Sequence, residues 1–300
     1  MERGLSGATL RIAAELEKPV PGGIRAMANA IITHHVPGVA AVLAYGSCIR
    51  DARVDESLID LYVLTHRLED VSSRLFTRAA CRLLPPNVYY AEVTHAGRTL
   101  RSKYAVMTLS EFAARTGPAT RSPYFWARFA QPARLVYAAD DASRSTVLNA
   151  VVEASVKMLQ ESRKLAKPGE DVITAFVRVL KASYATELRA EKSARAEMLV
   201  GASRQYYTDL AALVPPAAAG DCDRNLAARE WRRRKIVGKS LSVARLIKAG
   251  FTFEGGADYL AWKIGRHSGE ILIMSSWHRR HPVLTGLMLL PKMLRKGAVR

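Results

Sequence analysis

Between residues 38 and 137 the chain alternates short apolar runs, GVAAVLAY, SLIDLYVLT, NVYYAEV and SKYAVMTL, with breaks that contain Gly, Pro and Arg. Runs of that length bounded by such breaks predict strands mixed with helices. After Ser143 the period changes. TVLNAVVEASVKMLQESRKLA, DVITAFVRVLKASYATELRAEKSARAEMLV and SRQYYTDLAALV place apolar residues three and four apart, with a break at Lys167-Pro168-Gly169, and predict helices. PPAAAGDCD at 215–223 has no period and reads as a linker before the basic WRRRKIVGK at 231–239. The expected architecture is α/β (α+β), in three parts: a domain with a small mixed sheet over 1–140, a helical domain over 141–230, and a basic amphipathic region over 231–300.

One strand carries a residue out of place. In SLIDLYVLT a period of two sends Ile59, Leu61 and Val63 to one face and Leu58, Asp60, Tyr62 and Leu64 to the other, which leaves a carboxylate in the middle of an apolar strand. Such a carboxylate needs a partner, either one of the many arginines in a salt bridge or Mg²⁺ that in turn holds nucleotide phosphates. Gly46 and Ser47 close the preceding apolar run and can turn backbone N–H groups and a hydroxyl toward a triphosphate with no side chain in the way. A Gly-Ser pair by itself is ordinarily a structural turn; followed by the strand-borne Asp60 it favours the metal. Two-metal transfer asks for a second acid. Asp55 and Glu56 stand just before the strand, and Glu92 shares a face with Val88 and Tyr90; Glu92 is the preferred choice. Lys103 and Arg98 flank the next apolar run, where either can neutralise charge that develops on phosphates.

Composition narrows the partner. Over 300 residues with 49% hydrophobic content the net charge is +18, which implies a polyanion: nucleic acid, nucleotide or anionic lipid. Cys48, Cys81 and Cys222 are odd in number and lack zinc-site spacing, so reduced thiols are expected. No uninterrupted apolar stretch is long enough to span a bilayer, and the first residues lack a leader pattern, so the chain is expected neither to cross a membrane nor to be secreted.

Taken in order, these motifs resemble the mitochondrial-type phosphatidate cytidylyltransferases, peripheral CDP-diacylglycerol synthases of the nucleotidyltransferase superfamily. AYGSCIRD at 44–51 with LIDLYVL at 58–64 is similar to the family's first signature. Where other superfamily members carry Asp-x-Asp, that family has an apolar residue in place of the first Asp, as Leu58 is here. NVYYAEVTHAGRTLRSKYAVM is similar to the second signature and contributes Tyr89, Tyr90, Arg98, Lys103 and Tyr104; ARFAQPARLV matches a third through Arg128; SYATELR matches a fourth through Ser183, Tyr184, Glu187 and Arg189. For Arg189 a bracing i to i+4 network on its helix is an equal alternative. The resemblance covers about residues 38–250, and FTFEGGADYLAWKIGRHSGE beyond it has no counterpart.

The resemblance implies transfer of CMP from CTP to phosphatidate with release of pyrophosphate. Asp60, Lys103 and Arg128 are then catalytic, Tyr45, Gly46, Ser47, Tyr90, Arg98, Tyr184, Glu187 and Arg189 bind the nucleotide, and Asp60 with Glu92 holds Mg²⁺. It also implies a peripheral protein on the cytoplasmic face of the inner (plasma) membrane, or on the mitochondrial inner membrane in a eukaryote, with no nucleic acid as partner and the oligomeric state left open. The tail fits a membrane. Arg232, Arg233, Arg234, Lys235, Arg279, Arg280, Lys292, Arg295 and Lys296 lie among apolar segments such as PVLTGLMLLPKML, which is too short to span. Each base near an anionic surface contributes on the order of 1 kcal/mol. His267, His278 and His281 read as surface residues rather than metal ligands. The rival readings are a nucleic-acid-binding protein on a degenerate scaffold, and transfer to a soluble acceptor.

Overall fold

The computed structural model describes residues 2–35, 38–50, 58–188, 194–214, 224–253, 256, 259 and 274–280. The fold is α/β. In chain order the elements are α1 (Glu2–Leu16), α2 (Gly22–His35), β1 (Val39–Tyr45), β2 (Ile59–Thr65), α3 (Leu75–Leu83), β3 (Asn87–His95), β4 (Arg98–Thr108), α4 (Leu109–Thr116), α5 (Pro123–Phe129), β5 (Ala133–Ala138), α6 (Asp141–Leu165), α7 (Val172–Tyr184), α8 (Ala194–Gly201), α9 (Arg204–Leu213) and α10 (Arg224–Thr252). They form two compact units that interleave along the chain: Met1–Val20 with Thr108–Val243, and Pro21–Met107 with Ala244–Arg300.

The unit built around Pro21–Met107 holds the strand order β3-β4-β2-β1. β1 and β2 pair antiparallel, with Val42 opposite Val63 and Tyr45 opposite Asp60. Their continuous apolar sequences are explained by burial on both faces. Every β1 residue from Val39 to Ala44 is buried, and in β2 only Asp60 is partly exposed. β3 and β4 form a hairpin closed at Ala96-Gly97, both with positive φ (49° and 74°), as a two-residue turn between twisted strands requires. β3 loses its buried residues toward this turn, so the outer end of the hairpin is solvated.

Lys248, near the end of α10, ties that helix to the loop after α3. Its Nζ donates to the carbonyls of Leu84 and Pro86, each at 2.6 Å, and to Asn87 Oδ1 at 3.0 Å. Burial lowers its pKa from an ordinary 10.5 to about 8, and Arg245 nearby adds to the effect. Below pH 8 both native and unfolded chains carry the proton and the native state bears the full cost of the buried charge; between about 8 and 10.5 the native state sheds it first. Stability from this group therefore rises with pH across that window. Urea unfolding at pH 7 and pH 10 is expected to show the wild type gaining on Lys248→Met as pH rises; a constant difference between the two would refute the assignment.

The other unit is helical around α6, which packs against α1, α4, α5 and α7. Asp140 caps α6 by accepting from the Ser143 N–H at 2.7 Å, and Asp171 caps α7 by accepting from Ile173 N–H at 2.9 Å. Inside lies a charged cluster on Glu161. This buried carboxylate accepts from Trp231 Nε1 at 3.1 Å, from Arg234 Nη2 at 3.3 Å and from Lys164 Nζ at 3.1 Å. Burial alone would raise the Glu161 carboxyl, but the hydrogen bonds and charges of Arg234 and Lys164 outweigh it and hold the pKa below the usual carboxylate range. Trp231 is itself buried and meets Trp126 edge-on at 6.1 Å. One turn beyond Arg234 on α10, a Cβ at Gly238 would stand 2.6 Å from the Thr186 carbonyl oxygen, so only glycine lets the helix come this close.

These contacts correct part of the expected membrane anchor. Trp231 and Arg234 serve the helical interior, whereas Arg232, Arg233 and Lys235 on the same helix are exposed. The expected apolar tail segment at 282–294, with His267, His281, Lys292, Arg295 and Lys296, lies outside the described residues.

Candidate functional site

The Gly46 turn and Asp60 meet where β1 ends beside β2. Gly46 adopts φ 85° and ψ −150°, a conformation that L side chains rarely take. A Cβ at this position would also stand 3.2 Å from Asp60 Oδ2. The backbone conformation therefore favours glycine, and the close approach leaves the backbone of the turn against the carboxylate. Tyr45, paired with Asp60 across the ladder, stacks edge-on against Tyr62 at 5.4 Å, on the face that Asp60 shares. Cys48 is buried behind the turn with its Sγ donating to the Tyr45 carbonyl at 3.2 Å. Burial raises its pKa to about 11, and the Asp60 charge acts in the same direction, so it is a packed thiol rather than a nucleophile.

The β3–β4 hairpin adds cations and rings. Tyr90 stands opposite Lys103, and Glu92 opposite Arg101, all four on one face by strand parity. Tyr90 O–H donates to Glu92 Oε1 at 2.7 Å, and Arg101 Nε donates to the same oxygen at 3.1 Å. Burial, followed by this hydrogen bond to Glu92, pushes the Tyr90 phenol far up.

The residue that unites these pieces is Tyr259, which sequence reading missed. Its ring lies 5.8 Å from Tyr90 and 5.7 Å from Phe253, and Lys103 Nζ sits 5.8 Å above it. Its hydroxyl pKa is raised by burial first and then by the negative charge of Asp60. Asp60, Lys103, Tyr90 and Tyr259 thus form one cluster, all within the unit built around Pro21–Met107 and Ala244–Arg300. The motif FTFEGGADYL has no period or catalytic signature, and its aromatic residues flanking Gly255-Gly256 were the sole local hint.

Other expected residues fall elsewhere. Glu92, expected as the second metal acid, is engaged by Tyr90 and Arg101, and strand β4 stands between its strand and that of Asp60. Among the described residues no group of three His, Cys, Asp or Glu side chains is placed to hold a metal ion. Asp55, Glu56 and Arg189 lie outside the described residues. Arg98 is exposed at the hairpin turn, five positions along β4 from Lys103, about 16 Å at the rise of a strand. In the helical unit Arg128 and Glu187 pair at 3.7 Å, both nearly buried, and the Arg128 guanidinium covers the Tyr124 ring at 4.7 Å. Tyr184 ends α7 three residues before Glu187.

Comparison with known proteins adds little. No family model and no curated protein matches the chain. Among solved structures, a nucleotidyltransferase-like protein from Exiguobacterium sibiricum aligns over 92% of each chain with 13% identity and a TM-score of 0.27. So loose a superposition carries no argument about the chemistry.

Proposed function

We propose that the chain is a Mg²⁺-dependent nucleotidyltransferase that transfers CMP from CTP to phosphatidate. The observation that carries the reading is the partly buried Asp60 on a doubly covered strand, with the positive-φ Gly46 turn against its carboxylate and Lys103 in the same cluster. The motif resemblance supplies the cytosine base and the lipid acceptor.

The described residues fit Mg²⁺ in the form that arrives with a nucleotide, since that ion commonly takes one or two carboxylates and completes its shell with phosphates and water. Asp60 is the carboxylate in this reading, and the ion, when bound, neutralises phosphate charge and orients the chain of phosphates. Gly46 and Ser47 direct backbone N–H groups and a hydroxyl at the triphosphate, and the Lys103 ammonium stabilises charge that builds as the acceptor oxygen attacks the α-phosphorus. A bond forms from that oxygen to phosphorus as the bond to pyrophosphate breaks, and no covalent enzyme intermediate is needed. Arg128, Tyr184 and Glu187, to which the resemblance also gives roles, belong to the helical unit and carry no part of this reading.

Purified protein incubated with Mg²⁺, phosphatidate vesicles and each of the four nucleoside triphosphates is expected to form CDP-diacylglycerol from CTP alone. Absence of product from folded protein would sink the lipid assignment. Product with a soluble phosphate acceptor instead would move the reading to small-molecule transfer, and steeply salt-dependent RNA binding without turnover would favour the nucleic-acid alternative.

Tyr259 is expected to matter to nucleotide affinity. Removing a ring that carries a cation costs about 0.5–2 kcal/mol, or roughly 2- to 30-fold. Tyr259→Ala should weaken CTP binding by that factor in calorimetry, while Tyr259→Phe, which keeps the ring, stays within about twofold of the wild type. Equal losses in both variants would place the effect on the hydroxyl instead.

A further inference from the structure

Two charged side chains beside the Asp60 cluster take no part in the transfer chemistry. Glu92 and Arg101 stand opposite each other on the β3–β4 hairpin, one same-face pair beyond Tyr90 and Lys103. Both bonds that Glu92 receives end on a single oxygen: Tyr90 O–H and Arg101 Nε donate to Oε1 at 2.7 and 3.1 Å. Arg101 makes one further bond, from Nη1 to the Thr99 carbonyl at 3.5 Å. Among the described residues nothing donates to Glu92 Oε2 and nothing accepts from Arg101 Nη2. The two side chains are 44% and 32% exposed, so these atoms are within reach of a ligand. The hairpin thus holds a carboxylate acceptor beside a guanidinium donor, an edge of fixed polarity.

Position indicates what that edge meets. Ser102, between Lys103 and Arg101, donates to the Ile59 carbonyl at 2.9 Å, which sets this part of β4 beside Asp60. β3 lies two strand spacings from β2, so Glu92 stands about 10 Å across the sheet from Asp60. Rings lead from one carboxylate to the other: Tyr259, which senses the Asp60 charge, meets Tyr90, whose hydroxyl is bonded to Glu92. A nucleotide with its phosphates at Asp60 and Lys103 extends about that far to the outer edge of its base, over aromatic surface on which sugar and base can rest.

Cytosine carries an amino donor at N4 beside an acceptor at N3, and a carboxylate that only accepts beside a guanidinium that only donates matches both. Uracil reverses both atoms, setting O4 against the carboxylate and N3–H against the guanidinium. Adenine presents the same order as cytosine, and guanine the same order as uracil. We propose that Glu92 and Arg101 read the base of the nucleotide, accepting an amino base and rejecting a keto base. This role rests on the reading that places the phosphates at Asp60 and Lys103, and it follows from the polarity of the hairpin edge, not from the motif resemblance.

CTP and UTP share one ring size and differ at this edge, so titration calorimetry of the full chain with Mg²⁺ compares the two. The wild type is expected to bind CTP roughly 10- to 100-fold more tightly than UTP. In Glu92→Gln the Tyr90 and Arg101 donors still hold the side-chain oxygen, so the amide NH₂ takes the place of Oε2 and a donor replaces the acceptor. The preference for CTP is then expected to fall to within about threefold or to reverse, with thermal unfolding unchanged. Arg101→Leu removes the donor that faces N3; it is expected to narrow the preference likewise and serves if the amide variant does not fold. Equal affinity of the wild type for CTP and UTP overturns the proposal, as does an undiminished CTP preference in a folded variant. An equal loss of affinity for both nucleotides also overturns it, because the pair then only braces the hairpin. Binding of neither nucleotide overturns this role and the proposed transfer together. A CTP preference that Glu92→Gln abolishes, in protein that forms no CDP-diacylglycerol, upholds the base reading and sinks the transfer alone.

Discussion

Asp60→Asn is expected to reduce the rate of CMP transfer roughly 10²- to 10⁴-fold, because a metal-held charge in phosphoryl transfer is worth several kcal/mol and each 1.4 kcal/mol is a tenfold change in rate. The substitution keeps the shape of the side chain, so the β1–β2 ladder, in which Asp60 pairs with Tyr45, should survive, and thermal unfolding should shift little. The loss is expected in kcat more than in KM, since Gly46, Ser47 and Lys103 still contact the phosphates in this reading. Raising Mg²⁺ should not restore the rate. If Asp60→Asn turns over at the wild-type rate, the metal role is wrong and Asp60 becomes a structural carboxylate.

A second large effect is expected far from the chemistry. Glu161→Ala should destabilise the helical unit by about 3–5 kcal/mol, the cost of removing one partner from a buried ion pair and leaving the other without its counter-charge. Arg234 is then left with only the more exposed Glu230 at 3.7 Å, and the Trp231 indole loses its acceptor as well. Because the Glu161 carboxyl is held below its ordinary value, its contribution is fully present above about pH 4.5 and falls away as pH drops below that. The double variant Glu161→Leu/Arg234→Met is expected to recover most of the loss, since a buried pair can be replaced by apolar groups of similar volume at little cost. Chemical denaturation of the three proteins at pH 7 decides it: equal losses in the single and double variants would show that the cluster matters through packing alone. The same measurement separates Arg234 from Arg232 and Arg233, whose exposed positions predict changes within a few tenths of a kcal/mol.

Much of the sheet and the core of the site was legible without coordinates. The runs at 38–45, 57–65, 87–93 and 102–109 became β1 to β4 with boundaries shifted by a few residues; β1 and β2 are covered on both faces and must be apolar along their length, a signal that is local. Asp60 was visible for the converse reason, as the one charged side chain in such a run. The helical stretch after Ser143 was equally plain, with Asp140 and Asp171 at cap positions. The inward face of α10 could also have been read, since Trp231, Arg234 and Gly238 recur three and four apart. Composition masked it: a run of four bases looks like a solvated patch until one of them is found paired.

By itself the sequence determined which segments could be strands, where the Gly46-Ser47 turn lies and which carboxylate stands where only apolar residues belong. All of these depend on neighbours within one turn or one strand. Only the tertiary structure decided that Tyr259 closes on Lys103 and Tyr90 beside Asp60, that Glu92 is held by Tyr90 and Arg101, that Arg234 answers Glu161, and that the compact units are assembled from interleaved stretches of chain. Apart from Glu92, which is held within its own hairpin, those contacts join residues far apart along the chain, and what sets them is packing and the partnering of buried charge, which leave no period in the sequence.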